Sequence, residues 1–133
     1  GKTAVATAKL AYRRYRERFH GSSFDALREA GARPQFMLWA STGTKNPAYS
    51  DLLYVEPLIG PETVNTLPDA TLAALLDHGK VANTLDKDVD AAEAHYAALA
   101  AQDLKMDEVG ERLQQEGLAQ FEQAFAALLE LTS

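Results

Sequence analysis

Residues 35–41 read QFMLWAS, an apolar run that starts just after Arg33-Pro34 and ends at a string of small polar residues. Five consecutive apolar side chains between two turn signals are typical of a β-strand buried on both faces, as in a parallel sheet. Residues 63–67, TVNTL, have a similar character and predict a second buried strand. The chain therefore contains two short predicted strands separated by a long connection.

Amphipathic helices surround these strands. In the first helix, apolar side chains recur at three- and four-residue steps, which places them on one face and puts Lys9 and Arg13 largely on the other. Pro68 suits the start of the helix after the second strand, and Gly79 suits its end. The predicted helices span residues 4–19, 24–30, 70–77, 88–102 and 107–131.

The predicted order of elements is helix, helix, strand, loop, strand, helix, helix, helix. Alternation of strands and helices implies βα units and a parallel sheet. Two parallel strands alone are marginal, because they leave long edges unpaired. We therefore expect an α/β fold in which this chain is the tail of a larger structure such as a barrel.

Composition narrows the class of protein. The 133 residues are 47% hydrophobic and 24% charged, the balance of one folded domain. The net charge of −6 argues against a general nucleic-acid binder, and the absence of cysteine excludes disulfides and thiol chemistry. No apolar run approaches the ~20 residues of a membrane span, and no signal peptide is recognisable at the start. We expect a cytoplasmic protein that binds neither nucleic acid nor membrane.

A candidate anion site follows the first strand, where residues 41–45 read STGTK. Backbone N–H groups, the hydroxyls of Ser41 and Thr42 and the ammonium of Lys45 could converge on one phosphate. In barrels of alternating strands and helices, phosphate often lies at the carboxyl ends of the last two strands. Asn65 occupies the corresponding place after the second strand, just before a helix. The alternative is an ordinary turn; a P-loop is excluded because its first glycine and its helix start are missing.

The three histidines predict no further chemistry. His20, His78 and His95 are far apart and have no paired carboxylate at triad or metal-ligand spacing. Two of them end predicted helices, where a cation suits the helix dipole. We therefore assign all three a structural role and predict no metal site.

The motif LWASTGTKNPAYSDLLYVEPLIGPETVNTLPDATLAALLDHG, residues 38–79, resembles the C-terminal part of bacterial transaldolases. It is most similar to the long form that also occurs fused to glucose-6-phosphate isomerase. The opening AVATAKLAYRRYRERF and the closing DEVGERLQQEGLAQFEQAFAALL resemble helices of the same family. The resemblance implies that residues 1–133 are one segment of a (β/α)8 TIM barrel. Residues 1–31 would be helices, 35–79 the last two βα units with strands seven and eight, and 88–133 a C-terminal helical extension.

The resemblance also implies an activity in the pentose phosphate pathway. Transaldolases transfer a dihydroxyacetone unit from sedoheptulose 7-phosphate to glyceraldehyde 3-phosphate, giving erythrose 4-phosphate and fructose 6-phosphate. They need no metal or organic cofactor, because a lysine of the fourth strand forms a Schiff base with the ketose and acts as an electron sink. That lysine would lie before Gly1. The expected partner of this chain is therefore the remaining N-terminal part of the barrel, and the chain alone is expected to be inactive.

The family's site residues can be carried over only in part. Ala40-Ser41 matches the small-residue pair that ends the seventh strand, and Lys45 matches the basic residue that binds substrate phosphate. Three residues separate Ser41 from Lys45, whereas a single aromatic residue does so in short-form members. Ser41, Thr42 and Lys45 are the predicted phosphate-binding residues, and Asn46 and Asn65 are candidates for further substrate contacts.

Two alternatives remain. The long C-terminal helices would suit a non-catalytic helical interaction module, whose apolar stripes would be exposed unless a partner covered them. A related Schiff-base aldolase could use Lys45 as its nucleophile. Because Lys45 follows a flexible Gly-Thr pair and does not lie within a strand, its geometry favours a phosphate contact.

Overall fold

A computed structural model describes residues 1–132, and Ser133, the last residue of the predicted helical extension, lies outside the described residues. The elements follow the predicted order, with two additional 3₁₀ turns at Ser22–Phe24 and Glu56–Leu58. The strands are β1, Met37–Trp39, and β2, Thr63–Asn65. The helices are α1, Lys2–His20; α2, Asp25–Glu29; α3, Asp69–His78; α4, Val89–Ala100; and α5, Met106–Glu130.

The two strands pair in parallel, as predicted. Their register places Met37 opposite Thr63 and Trp39 opposite Asn65. Within residues 1–132 the sheet has two strands, so each strand has one unpaired edge. An α/β fold built on a small parallel sheet is thereby confirmed.

The prediction that both faces of the strands are buried is wrong for this chain. On one face Met37 and Trp39 are partly buried against the core cluster that includes residues of α1. On the other face Leu38 and Val64 are 57% and 47% exposed. Alternating side chains of a strand point to opposite faces, so a helix on one side can cover only half of them.

The core combines aromatic and aliphatic side chains, and the polar atoms of its aromatic residues form hydrogen bonds. Its buried cluster consists of Tyr12, Tyr15, Leu58 and Leu85. The Tyr12 hydroxyl donates to the carbonyl oxygen of Pro61 at 3.1 Å, and Trp39 Nε1 donates to that of Leu58 at 3.1 Å. These bonds allow large side chains with polar tips to be buried without an unpaired donor.

The connection between α3 and α4 contributes the most buried residue of the core. Leu85 is 0% exposed, and it packs so closely on Gly60 that a Cβ there would lie 2.8 Å from the Leu85 Cβ. The amides of Thr84 and Leu85 both donate to the carbonyl oxygen of Ile59 at 3.0 Å. This connection, which has no helix or strand of its own, is therefore part of the core.

The chain divides into two compact units, Gly1–His95 and the described residues from Tyr96 onward. The first unit contains the sheet, α1 to α3 and the start of α4. The second contains α5, whose large apolar side chains are exposed; Phe121 is 80% and Phe125 62% exposed. No helix of the described residues is both long and apolar enough to cross a membrane.

Candidate functional site

Ser41 lies at the carboxyl end of β1 in an uncommon backbone conformation. Its φ is +58°, in the left-handed region that residues with a Cβ rarely adopt. The residue is exposed. Backbone strain of this kind costs on the order of 1–3 kcal/mol and occurs disproportionately at functional sites. Ser41 is therefore the predicted site residue that the backbone geometry singles out.

Thr42 and Asn65 are brought together at the carboxyl edge of the sheet. The hydroxyl of Thr42 donates to Asn65 Oδ1 at 2.7 Å, and the Thr42 residue is only 4% exposed. Next to them, the amide and hydroxyl of Thr66 both donate to the carbonyl oxygen of Trp39, at 3.0 and 3.1 Å. The ends of β1 and β2 are thus tied to each other by three hydrogen bonds.

Gly43 lets the loop after β1 pass close to the start of α3. A Cβ at this position would lie 3.1 Å from Cγ of Pro68 and 3.4 Å from Oγ1 of Thr71. An added Cβ would require the Pro68 side chain to shift by a few tenths of an ångström. The predicted anion-binding turn is therefore packed against the helix that follows β2.

Lys45 and Asn46 line a different cavity from Ser41 and Thr42. They border an open cleft of about 580 Å³ together with Tyr49 and Asp51. Ser41 and Thr42 border a cavity of about 350 Å³ whose other walls include Ala4, Ala8 and Tyr54. Within residues 1–132, the predicted phosphate-binding residues thus lie in two adjoining stretches of one loop and do not line a single pocket.

Asn46 already has a structural role in this loop. Its Oδ1 accepts a hydrogen bond from the amide of Ala48 at 2.9 Å, and its carbonyl oxygen accepts one from the amide of Tyr49 at 3.0 Å. This is the side-chain turn that asparagine commonly makes before a proline-containing loop. Its side-chain nitrogen is the group left to contact a substrate.

Lys9 is a buried lysine that the sequence pattern placed on the wrong face of α1. It is 7% exposed, and its Nζ donates to the carbonyl oxygens of Thr84 at 2.6 Å and Lys87 at 2.9 Å. Burial lowers the pKa of this ammonium, and Asp88 and Asp86 partly oppose that shift. A lysine with a lowered pKa can be a nucleophile, but two carbonyls hold this one, so it serves as a clamp.

A second titratable cluster lies at the amino end of β2. Glu62 Oε2 accepts a hydrogen bond from the Tyr15 hydroxyl at 2.8 Å and lies 2.5 Å from His20 Nε2. The Tyr15 bond is the main cause of the lowered pKa of Glu62, while burial and then Glu62 raise the pKa of Tyr15 to about 12. Glu62 directly precedes β2, and Asn65 is the last residue of that strand. This cluster therefore lies at the amino ends of the strands, whereas Ser41 lies at their carboxyl ends.

The other two histidines also form hydrogen bonds with nearby side chains. His78 lies 3.1 Å from a carboxylate oxygen of Asp77 and 3.1 Å from one of Asp51, and these two bonds raise its pKa, the Asp77 bond most. His95 Nε2 lies 2.9 Å from the hydroxyl of Thr3. Within residues 1–132, no three His, Asp or Glu side chains converge on a point where a metal ion could be held.

Comparisons with known proteins identify relatives of the whole chain. Residues 1–132 match the family model described as Transaldolase/Fructose-6-phosphate aldolase. The transaldolase of Thiobacillus denitrificans is 60% identical over 129 residues, which are 97% of this chain and 36% of that protein. The transaldolase of Neisseria gonorrhoeae is 51% identical over 97% of this chain and 37% of its own length. Transaldolase 1 of Streptomyces coelicolor is 49% identical over 97% of this chain and 34% of its own length. The chain spans about a third of the length of the curated relatives it matches.

Proposed function

The chain belongs to the transaldolase/fructose-6-phosphate aldolase family, and from this we propose that it forms the phosphate-binding end of a transaldolase. The enzyme would transfer a dihydroxyacetone unit from sedoheptulose 7-phosphate to glyceraldehyde 3-phosphate, releasing erythrose 4-phosphate and forming fructose 6-phosphate. The relatives described above are transaldolases, which supports a transaldolase role.

We place β1 and β2 as strands seven and eight of a (β/α)8 barrel. Their parallel pairing and their unpaired outer edges support this placement, since barrel strands pair on both sides. The exposed side chains of Leu38 and Val64 would fill the layered interior of such a barrel. In this arrangement residues 1–31 are helices, 35–79 the last two βα units and 88–133 the C-terminal helical extension.

The turn after β1 is the proposed phosphate site. The observation that carries the proposal is the strained, exposed Ser41 at the carboxyl edge of the sheet, beside Thr42 and its bonded partner Asn65. Ser41 would donate its hydroxyl to a phosphate oxygen, and Thr42 would shape the same end of the site. The flexible side chain of Lys45 would supply the positive charge, reaching back from the adjoining cleft when the anion binds.

The nucleophilic lysine is proposed to come from another part of the barrel. Lys9 is buried, but two backbone carbonyls hold its ammonium, and Lys45 is exposed on a loop and lacks the enclosed position that an imine needs. In the proposed reaction that other lysine condenses with the ketose carbonyl, and the imine accepts the electrons of the broken carbon–carbon bond. The present chain would then act by holding the phosphate of the ketose while the carbon–carbon bond breaks, and that phosphate would leave as part of erythrose 4-phosphate.

A coupled assay of the full-length protein tests this proposal. It should form fructose 6-phosphate from sedoheptulose 7-phosphate and glyceraldehyde 3-phosphate, whereas residues 1–133 alone should show no turnover above background. Lys45→Ala should raise KM for the phosphorylated ketose about tenfold or more, as expected for a lost charge-assisted contact. Lys80→Ala, which removes an exposed lysine after α3, is the matched control and should leave KM unchanged. Equal effects of the two variants would discredit the phosphate contact.

Borohydride trapping separates this proposal from the aldolase alternative. The full-length protein is reduced in the presence of fructose 6-phosphate, and the modified peptide is mapped. An adduct on a lysine outside residues 1–133 supports the proposal. An adduct on Lys45 would instead make this lysine the nucleophile.

A non-catalytic helical interaction module is the second candidate. The exposed apolar side chains of α5, among them Phe121, Leu118 and Leu113, favour it, because such a stripe usually marks a contact surface. A stable monomer or symmetric dimer of residues 1–133 without sugar-phosphate binding would support the module. Aggregation of that chain, or its recovery only with the rest of a barrel, would support the transaldolase.

A further inference from the structure

The hydrogen bond between Thr42 and Asn65 joins two loops at the carboxyl edge of the sheet. Thr42 Oγ1 lies 2.7 Å from Asn65 Oδ1, the usual distance for a hydrogen bond from a hydroxyl to an oxygen. Thr42 is 4% exposed, and its hydroxyl proton is directed to Asn65. The buried hydroxyl is therefore already used within the protein and is poorly placed to bind a ligand itself.

This bond orients the side-chain amide of Asn65. An asparagine amide has an acceptor oxygen and an amino group with two N–H donors. Because Oδ1 faces Thr42, Nδ2 must point away from it. Within residues 1–132 no group accepts a hydrogen bond from Nδ2, and this nitrogen is not buried. Asn65 thus presents free donors beside the strained turn at Ser41.

The surroundings of Asn65 hold this orientation rigidly. Its backbone is paired with Trp39 in the sheet, and the next residue, Thr66, donates twice to the Trp39 carbonyl oxygen. Gly43, the residue after Thr42, packs against Pro68. A donor mounted on a strand and locked by a buried partner binds an acceptor with little loss of side-chain entropy.

We propose that Thr42 is a positioning residue, which aims the Asn65 amide nitrogen at a phosphate oxygen of the substrate. The identity of the ligand rests on the proposed function, whereas the orienting bond is a property of this chain. Asn65 is then the substrate contact, and Thr42 acts only through it. If Thr42 acts only through Asn65, the effects of the two substitutions on KM should not multiply in the double variant.

Steady-state kinetics of the full-length protein test this pairing. Thr42→Val keeps the shape of the side chain and removes the hydroxyl, and it should raise KM for sedoheptulose 7-phosphate about tenfold, with kcat changed less than about twofold. Thr42→Ser, which keeps the donor, should restore the wild-type KM. Asn65→Ala should match Thr42→Val, and the double variant should be no worse than Asn65→Ala. An unchanged KM in Thr42→Val, or effects that multiply in the double variant, would overturn the proposal.

Two further variants distinguish an effect on substrate binding from a loss of folding. Asn65→Asp keeps the acceptor for Thr42 but replaces the donor by a negative oxygen, so the protein should fold and its KM should rise more than in Asn65→Ala. A wild-type KM in folded Asn65→Asp contradicts the proposal. Thr63→Val is the matched control, because Thr63 donates to Gly60 at the other end of β2, at 2.6 Å. Thr63→Val should lower stability and leave KM unchanged. A raised KM in Thr63→Val would show that the rise in KM of Thr42→Val is merely structural.

A binding measurement separates this inference from the proposed function. The full-length protein, labelled with ¹⁵N-asparagine, is titrated with inorganic phosphate while the Asn65 side-chain amide resonance is followed. The resonance should move in the wild type and stay in place in Thr42→Val. If it moves in a protein without transaldolase activity, the inference holds and the proposed function fails. If the protein is active but neither the resonance nor the KM responds to Thr42→Val, the inference fails and the proposed function holds.

Discussion

The ammonium of Lys9 lies 2.6 Å from the carbonyl oxygen of Thr84, so α1 holds a loop that is 75 positions further along the chain. The same nitrogen donates to the carbonyl oxygen of Lys87 at 2.9 Å. Both acceptors belong to the connection whose Leu85 is fully buried in the core. Lys9 therefore fastens this connection to the rest of the first unit.

Replacing Lys9 by Met should destabilise the protein. Lys9→Met keeps most of the buried stem and leaves two backbone carbonyls without their donor, at a cost of about 1–3 kcal/mol. Lys2→Met, on the exposed start of the same helix, is the matched control and should change stability by less than about 0.5 kcal/mol. Urea unfolding of both variants measures the difference. Equal stabilities would show that the clamp contributes nothing.

The Tyr15–Glu62 bond should give stability a defined pH dependence. The pKa of Glu62 is lowered in the folded protein, so its contribution is present above the ordinary glutamate pKa and is lost as the pH falls through the folded value. The pKa of Tyr15 is raised to about 12, so its contribution is present below the ordinary tyrosine pKa and is lost as the pH rises toward 12.

One conservative variant tests each limb of this dependence. Glu62→Gln should be less stable than the wild type at pH 7, and the gap should close in acid. Tyr15→Phe should lose less stability than the wild type above about pH 10, because it has no hydroxyl to ionise. Unfolding free energies across the pH range provide the measurement, and parallel curves for wild type and variants would contradict the assignment.

Substitutions at Ser41 should separate stability from binding. Ser41→Gly relieves the left-handed φ of +58° and should raise stability by about 1 kcal/mol. Ser41→Ala keeps the strain, so its stability should stay near the wild type. Both variants lack the hydroxyl, and both should raise the KM of the full-length protein for phosphorylated sugars. Thermal unfolding and kinetics are measured together, and a glycine variant no more stable than the alanine variant would argue against strain.

Two glycine-to-alanine substitutions should have opposite effects. At Gly60 a Cβ would lie 2.8 Å from Cβ and 2.9 Å from Cδ2 of Leu85, so Gly60→Ala should cost about 1–3 kcal/mol through overpacking. At Gly110, within α5, nothing lies within 4 Å of the added Cβ, and Gly110→Ala should stabilise the helix by about 0.5–1 kcal/mol. Circular dichroism and urea unfolding give both values. A tolerated alanine at position 60 would show that Leu85 can move.

Much of the fold follows from local patterns in the sequence. Apolar runs between turn signals located β1 and β2, and three- and four-residue periodicity located the helices within a few residues of their observed bounds. The motif over residues 38–79 was sufficient to recognise the transaldolase family, which the comparisons confirm. The roles assigned to Ser41, Thr42, Lys45, Asn46 and Asn65 remain predictions.

The periodicity of α1 was misleading at Lys9. A lysine beside an apolar stripe is normally solvated, because burying its charge is costly. The cost is offset here only because two carbonyls of a distant loop accept hydrogen bonds from its ammonium. No feature of the sequence near Lys9 predicts those acceptors.

Short-range spacing thus determined the elements, their order and the family, since periodicity and turn residues act within one or two turns of chain. Only the long-range contacts of the tertiary structure decided which side chains form hydrogen bonds with distant residues. The partners Thr42 and Asn65 are 23 positions apart, Tyr15 and Glu62 are 47 apart, and Lys9 and Thr84 are 75 apart. The pairing of such distant residues depends on how the sheet and α1 pack, and the burial that gives each hydrogen bond its value exists only in the folded chain.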